Sequence, residues 1–256
     1  FFRSTLVQTL FYGIFSAWVL WNKQRPPGAP AGVFDWRTAA WSLRVPIVRK
    51  LFHELVEPGR MDALRLSEVL DWTGAALNRV EWSEFQEHFQ EEHAVQYFYE
   101  PFLEEFDPDL RKELGVWYTP PEIVRYMVAR VDTVLREELG LEDGLADESV
   151  VVLDPCCGTG AYLVEVIRRI GATLRARGGD ALVASDLRKA AVERVFGFEI
   201  LPAPFVVAHL QMGLLLQGEH VNLAEGARAG IYLTNALTGW EPLREPPRLL
   251  FPEMEE

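Results

Sequence analysis

An acidic residue followed by two closely spaced glycines is the part of this sequence best suited to chemistry. Asp154 follows the apolar run 150–153, and Gly158 and Gly160 come soon after it. Glycines let a backbone turn sharply and let a ligand approach it closely, because they have no Cβ. A carboxylate at such a place can accept hydrogen bonds from a ligand's ammonium or hydroxyl group. We therefore expect residues 155–160, the glycine loop, to bind a ligand.

The residues on either side of the glycine loop predict the elements that position it. The run 150–153 has three β-branched residues among four apolar ones, which is typical of a buried parallel strand. After the loop, apolar residues recur at helical spacing, at Leu163, Val166, Ile167 and Ile170. The segment is thus expected to form a strand, a loop and a helix of an α/β fold, with the ligand at the carboxyl edge of the sheet.

The glycine loop favours a cationic ligand over a phosphate. It has neither the GxxxxGK(S/T) nor the GxGxxG spacing of phosphate-binding loops. Asp154 would repel a phosphate at close range, whereas it suits an amino group. We therefore expect S-adenosylmethionine, whose methionine end has an ammonium group and whose ribose has two hydroxyls. A tight turn without a ligand is the alternative.

A second acid is expected to bind the ribose. Glu199 ends the run 195–198 and precedes a helical pattern at 205–212, which predicts a second strand with a carboxylate at its end. It lies about forty residues after Gly158, whereas roughly twenty is usual in dinucleotide-binding folds. Residues 175–195 are therefore expected to form an added helical segment. Asp186 is the nearer alternative, but a charged, helix-like run follows it.

Two further segments are expected near the ligand. Thr119 is a plausible N-cap and Pro120 a plausible first residue of a helix whose apolar stripe is Ile123, Val124, Met127, Val128 and Val131. The run 229–237 predicts a third strand with Asn235 at its carboxyl end. The amide of Asn235 could pair with an adenine or could simply close a turn.

These segments together resemble the adenine-N6 DNA methyltransferases of restriction–modification systems, in particular the large single-chain enzymes. Residues 154–163 are similar to that family's DPxxGTGxFL loop, with Tyr162 where Phe is usual. Residues 118–120 are similar to its Tyr-Thr-Pro segment, and residues 197–200 to its GxEI run. The resemblance implies a Rossmann-like S-adenosylmethionine-dependent methyltransferase core, with a partial parallel sheet, preceded by an α-helical domain.

The resemblance also implies which residues bind the cofactor. Thr119 would close over its methionine end, with Tyr118 as a packing wall. The whole expected set is Tyr118, Thr119, Pro120, Asp154, Pro155, Cys156, Gly158, Gly160, Tyr162, Glu199, Ile200 and Asn235. No metal site is expected, because five scattered histidines and one adjacent pair of cysteines give no ligand spacing.

The family's catalytic tetrapeptide, (D/N/S)-P-P-(Y/F/W), does not occur in the sequence. We therefore expect no catalytic residue here: residues 1–96 would be a helical N-terminal domain, and residues 97–256 the cofactor-binding part of a methyltransferase, truncated before the tetrapeptide. This chain alone is expected to be inactive, and the longer protein to methylate DNA adenine in restriction–modification or phage defence. The alternatives are a methyltransferase of RNA, protein or small molecules, and a non-catalytic module that binds a cofactor or a partner.

The composition restricts the partners. A net charge of −13 argues against this chain alone enclosing DNA, since non-specific DNA affinity comes mainly from Lys and Arg. Double-stranded DNA is therefore expected to bind through regions outside this chain, with possible target-recognition and nuclease or helicase domains. Two adjacent cysteines suggest a reducing, cytoplasmic setting. The apolar run 6–21 is too short and too interrupted by polar residues for a membrane span, so a buried or partner-facing helix is expected there.

Overall fold

The structure is a computed structural model that describes residues 2–23, 25, 32–39, 66–88, 119–178, 180–221, 223 and 227–237. The chain divides into two compact units, Phe1–Ala94 and Val95–Glu256. The domain boundary expected between residues 96 and 97 stays a prediction. Tyr118 lies outside the described residues.

The described part of the first unit is helical. Its helices are α1 (Phe2–Lys23), α2 (Trp36–Ala39), α3 (Leu66–Leu77) and α4 (Trp82–His88). In α1, residues 12–19 are all buried, as expected for a buried helix, and the ring of Trp18 packs edge-on against Trp82 and Phe85 at 5.4 and 4.9 Å between ring centroids. None of the described helices is long and apolar enough to cross a membrane.

The described part of the second unit alternates helices with short strands. In chain order it contains α5 (Pro121–Glu137), a 3₁₀ turn (Gly144–Ala146), β1 (Val152–Asp154), α6 (Ala161–Ala176), α7 (Asp180–Glu193), β2 (Val195–Glu199), α8 (Pro202–Gly218) and β3 (Ile231–Leu233). The helix α7 occupies the predicted added segment. An α/β arrangement with a small parallel sheet is thus confirmed.

The three strands form one parallel sheet in the order β1-β2-β3. Asp154 lies opposite Gly197, and Glu199 lies opposite Leu233. Because the strands are parallel, the segments that follow them meet at the same edge of the sheet. The predicted apolar stripe of α6 is buried as expected, with Ile167 fully enclosed, and α8 packs against α6, β2 and β3.

Two strand predictions need correction. The first strand was expected to be buried, yet Val151 is 63% and Leu153 53% exposed. The physical reason is that β1 is the outer strand of the sheet in the described part of the chain, so one of its sides has no neighbouring strand there. The third strand was expected over 229–237 but covers only Ile231–Leu233, so Asn235 lies two residues beyond its end.

The start of α5 was also predicted wrongly. Its N-cap is Pro120, with no side-chain capping bond, and Pro121 is its first residue. Thr119 therefore precedes the cap, because two successive prolines shift the start by one position. The predicted apolar stripe is only half correct: Val124 and Val128 are buried, whereas Ile123, Met127 and Val131 are each about half exposed. The inward face is completed by Asp132, which is 1% exposed.

Candidate cofactor-binding site

Asp154 is the last residue of β1 and marks the entry to the glycine loop. Its Oδ1 accepts a hydrogen bond from the backbone N–H of Cys156 at 3.1 Å, which starts the turn. Burial raises the pKa of the Asp154 carboxyl, and the Cys156 N–H offsets this only in part. The structure thus holds a partly buried carboxylate at the carboxyl edge of the sheet, which suits a cationic group.

Glu199 is the last residue of β2 and connects this strand to the glycine loop. It is 8% exposed; its Oε2 accepts from the N–H of Gly158 at 2.9 Å and its Oε1 from the N–H of Leu201 at 2.7 Å. Burial raises the pKa of Glu199, and the charge of Asp154 adds to this, while the backbone N–H bonds oppose it. Backbone N–H groups, including that of Ile200, take most of the about four acceptor positions of this carboxylate, and the remaining capacity can serve a ligand hydroxyl.

The two glycines of the loop have left-handed backbones with different surroundings. Gly158 has φ of +55°, and a Cβ placed on it would meet nothing within 4 Å. Gly160 has φ of +85°, and a Cβ there would lie 3.0 Å from the Cβ and 3.2 Å from the Cα of Ala208 in α8. Gly158 therefore borders open space that a ligand could fill, whereas Gly160 lets the loop pack directly on α8.

Three more hydrogen bonds fix the glycine loop. Cys157 donates its N–H to the carbonyl of Phe198 at 2.9 Å, and Gly160 donates its N–H to the carbonyl of Cys157 at 2.8 Å. The side-chain amide of Gln211, in α8, donates to the carbonyl of Thr159 at 2.6 Å. The loop is thus held from the sheet on one side and from α8 on the other.

The two loop cysteines differ in exposure. Cys156 is exposed and Cys157 is buried. Burial, together with the nearby charges of Glu199 and Asp154, raises the pKa of the Cys157 thiol far above its usual range. Cys157 is therefore a neutral packing residue and not a nucleophile.

The segments after β2 and β3 lie beside Glu199. Thr234 donates its N–H to the carbonyl of Glu199 at 2.9 Å, which brings the end of β3 to this edge. Ile200 is 59% exposed and offers an apolar surface there. The Oδ1 of Asn235 accepts from the N–H of Leu237 at 2.9 Å, so this side chain closes a turn, as one of the two sequence interpretations expected.

The other predicted residues lie at or near the start of helices. Tyr162, the second residue of α6, donates its hydroxyl to the sulfur of Met127 in α5 at 3.1 Å, which places α5 beside the beginning of α6. Thr119 is partly buried and Pro120 exposed just before α5, and Pro155 is exposed in the turn after β1. Asp186, the alternative ribose acid, lies within α7 and not at the end of a strand.

Sequence reasoning missed Gln211 and the buried His209 in α8. The available signal was a pair of polar residues inside an otherwise apolar helix, since a buried amide or imidazole needs a hydrogen-bond partner. The partner of Gln211, the carbonyl of Thr159, is 52 positions away, so the sequence did not identify it. Among the described residues no group of three or more His, Cys, Asp or Glu side chains could hold a metal ion.

The comparisons with known proteins identify the family. Residues 90–239, more than half of the chain, match the family described as N-6 DNA methylase. The chain therefore belongs to the N-6 DNA methylase family, which confirms the resemblance found in the sequence. No curated protein matches the chain significantly.

Solved structures with the same fold are parts of much longer chains. A cryoEM structure of a DrdV–DNA complex matches with a TM-score of 0.56 and 21% identity over 92% of this chain and 20% of that one. The Type ISP restriction-modification enzyme LlaGI, as a nuclease-deletion mutant with a DNA substrate mimic, matches with a TM-score of 0.57 and 20% identity over 94% of this chain and 18% of that one. The ATP-dependent Type ISP enzyme LlaBIII bound to DNA matches with a TM-score of 0.56 and 19% identity over 91% of this chain and 14% of that one. This chain thus spans a fifth or less of their length, and the likeness concerns the fold.

Proposed function

We propose that this chain is the S-adenosylmethionine-binding part of a DNA adenine-N6 methyltransferase of a restriction–modification or phage-defence system. The proposal rests mainly on one observation: two carboxylates, the partly buried Asp154 and the buried Glu199, end neighbouring parallel strands beside a glycine loop with open space at Gly158. Family membership supports the reaction. The second unit is then the partial Rossmann-like core, and the first unit the helical domain that precedes it.

The chemistry of these side chains fits the proposed cofactor from end to end. Asp154 would accept from the ammonium group, and the backbone at Gly158 would allow the methionine end close to the loop, which rests on α8 through Gly160. Glu199 would bind the ribose hydroxyls. Ile200 would pack on the adenine, with Asn235 at its edge. The cofactor supplies an activated methyl group when bound.

The remaining predicted residues would enclose the methionine end. Thr119 and Pro120 would close over it from the start of α5, with Tyr118 as a wall, because the contact between Tyr162 and Met127 brings α5 to the beginning of α6. Pro155 and Cys156 would shape the exposed side of the glycine loop. The roles of Tyr118 and Thr119 follow the family's Tyr-Thr-Pro segment.

The methyl acceptor would be an adenine flipped out of double-stranded DNA. The base would be held by the (D/N/S)-P-P-(Y/F/W) segment, which this sequence lacks, so a longer protein would be needed for transfer. The DNA complexes of DrdV, LlaGI and LlaBIII support DNA as the partner, with target-recognition and nuclease or helicase domains elsewhere in that protein. The cytoplasm, where DNA and cofactor meet, is the proposed location.

Ultraviolet cross-linking with methyl-labelled S-adenosylmethionine tests the proposal. We expect label on the peptide that contains the glycine loop, and we expect excess S-adenosylhomocysteine, but not ATP, to prevent it. Label that is absent from the folded chain, or that ATP removes equally well, would contradict a site for this cofactor. A variant Asp186→Asn should be labelled like the wild type, because Asp186 lies in α7.

A further inference from the structure

The helix α8 is apolar and buried over most of its length, which makes its two buried polar side chains informative. Its residues 203–212 are all buried, and within them His209 and Gln211 are polar. His209 has a structural explanation: its Nε2 lies 3.2 Å from the carbonyl oxygen of Ile231 and its ring packs edge-on against Phe205. Burial lowers the pKa of His209 to about 4, so it is neutral at pH 7 and connects α8 to β3.

Gln211 has a different partner, the glycine loop. Its side-chain amide donates to the carbonyl of Thr159 at 2.6 Å, and it is 9% exposed. A buried amide is unfavourable unless it is hydrogen-bonded, whereas an apolar side chain of the same size would pack there without a partner. Ala208, one turn earlier on the same face of α8, lies against Gly160. The helix therefore determines the position of two consecutive loop residues.

The orientation of the Thr159 carbonyl affects what the loop presents to a ligand. The peptide bond is planar, so a carbonyl held toward α8 directs the N–H of Gly160 the opposite way, where it reaches the carbonyl of Cys157. The first N–H groups of α6, beginning at Ala161, have no partner within that helix and can face an anionic group. A rotated Thr159 carbonyl would add a partial negative charge beside them.

We propose that Gln211 is a positioning residue of the cofactor site: it holds the Thr159 carbonyl against α8 and so keeps the loop complementary to the carboxylate and ammonium of the methionine end. The inference rests on the proposed function, since it concerns the same site. Loss of the Gln211 amide weakens binding of the methionine end, while the adenosine end, assigned to Glu199, Ile200 and Asn235, is unaffected.

Two ligands separate these ends. S-adenosylmethionine has both, whereas 5′-methylthioadenosine has the adenosine end alone. We expect Gln211→Met, which keeps the side-chain length but cannot donate, to weaken S-adenosylmethionine binding about tenfold, the equivalent of one lost hydrogen bond, with methylthioadenosine affinity within about twofold of wild type. Gln211→Glu, which keeps the shape of the side chain but not its donor, should change the two affinities in the same way as Gln211→Met. Gln217→Met, at an exposed position of the same helix, is the matched control.

The titrations distinguish failure of the positioning role of Gln211 from failure of the proposed cofactor site. The ratio of the two dissociation constants, measured on one sample, does not depend on the folded fraction. An unchanged ratio in both Gln211 variants would overturn the inference and leave the proposed function intact. A folded wild-type chain that binds neither ligand would overturn the proposed function and the inference with it.

Amide hydrogen exchange provides a readout without ligand. In Gln211→Met, the amides of Gly158 and Gly160 should exchange faster than in wild type, while those of α8 keep their protection. Gln217→Met should leave both unchanged. Equal loss of protection in the loop and in α8 would indicate a purely structural residue and contradict a positioning role.

Discussion

At the scale of single residues, the site combines features that oppose stability. Asp154 and Glu199 are carboxylates whose pKa values are raised, in each case first by burial. A raised folded-state pKa means that the ionised form is less favourable in the folded chain than in the unfolded one. Their contribution to stability therefore decreases as pH rises from the ordinary carboxyl range through the raised pKa. Such a cost is expected where charge is kept for a ligand.

Asp154→Asn should make the ligand-free chain more stable at pH 7. The amide oxygen can still accept from the N–H of Cys156, while the unfavourable charge is removed. The gain over wild type should grow as pH rises above about 4, the ordinary Asp pKa, and each kcal/mol should raise Tm by about 2–4 °C for a chain of this size. Thermal unfolding across pH checks this, with Asp186→Asn as control. A lower Tm for Asp154→Asn at pH 7 would show that the charge of Asp154 does not oppose folding.

Gly158→Ala and Gly160→Ala should separate ligand binding from packing. Both place Ala in a left-handed backbone, at a cost of about 1–2 kcal/mol. Gly160→Ala should lose more stability, because the new Cβ lies 3.2 Å from the Cα of Ala208. Gly158→Ala should lose only the stability that corresponds to this backbone strain. It should nevertheless bind S-adenosylmethionine far more weakly, because its methyl group enters the open space beside the loop. Urea unfolding and titration measure the two effects; equal stability losses would show that the packing argument is wrong.

Much of the site could be predicted at this scale. Asp154 and Glu199 were expected at the ends of two parallel strands, and both lie there, because an acid after an apolar run is a local signal. Gln211 was not expected, since its role depends on a loop that only the fold brings to it. The same applies to the contrast between Gly158 and Gly160, which depends on the position of Ala208.

At the scale of elements, a buried carboxylate fixes α5 against its neighbours. Asp132 accepts from Arg136 in α5 and Arg169 in α6, each at 3.0 Å, and from the N–H of Leu145 in the 3₁₀ turn at 2.8 Å. Burial alone would raise the pKa of Asp132, but these hydrogen bonds outweigh it and hold the pKa below its ordinary value. The network keeps α5 beside α6, where the contact between Tyr162 and Met127 lies.

Asp132→Asn should destabilise the chain by about 2 kcal/mol at pH 7, the scale for hydrogen bonds to a charged group, because its two arginine partners are 33% and 40% exposed and can regain water. Because the folded-state pKa is lowered, the wild-type contribution is present above the ordinary Asp pKa and is lost as pH falls through the lowered value. The difference between variant and wild type should therefore shrink in acid. Urea unfolding at several pH values checks this. The control is Glu137→Gln, exposed on the same helix; equal effects of the two variants would contradict the network.

The sequence predicted most elements of the second unit but not their boundaries or burial. Proline spacing placed a helix near residue 120, yet two adjacent prolines moved its cap from Thr119 to Pro120. Asp132 at an inward position could not be foreseen, because one of its partners, Arg169, is 37 positions away. The exposure of Leu153 depends on the order of the strands in the sheet. The local sequence pattern carries no information about that order.

At the scale of the whole molecule, charge limits what the chain can do alone. Its net charge is −13, whereas non-specific DNA affinity depends on Lys and Arg that displace counterions from phosphates. In the proposed function, DNA contact therefore belongs to regions outside this chain. This assignment of DNA contact also accounts for the acidic charge of a chain that belongs to a family of DNA methylases.

The chain alone should bind duplex DNA more weakly than a Kd of about 10⁻⁴ M at physiological salt, the weak end of non-specific binding. It should also transfer no labelled methyl group to adenine-containing DNA, because the base-holding tetrapeptide is absent from the sequence. Fluorescence anisotropy and methyl incorporation measure these two properties. Micromolar DNA binding, or methyl incorporation above background, would refute the assignment of DNA contact and methyl transfer to regions outside this chain.

Isothermal titration of the folded chain examines whether Asp154, Glu199 and the glycine loop bind S-adenosylmethionine. We expect saturable one-to-one binding by the wild type, a loss of affinity of at least about tenfold, or 1.4 kcal/mol, in Asp154→Asn and in Glu199→Gln, and wild-type affinity in Asp186→Asn. No binding by the folded wild type, or wild-type affinity in both site variants, would show that these residues do not form a site for this cofactor.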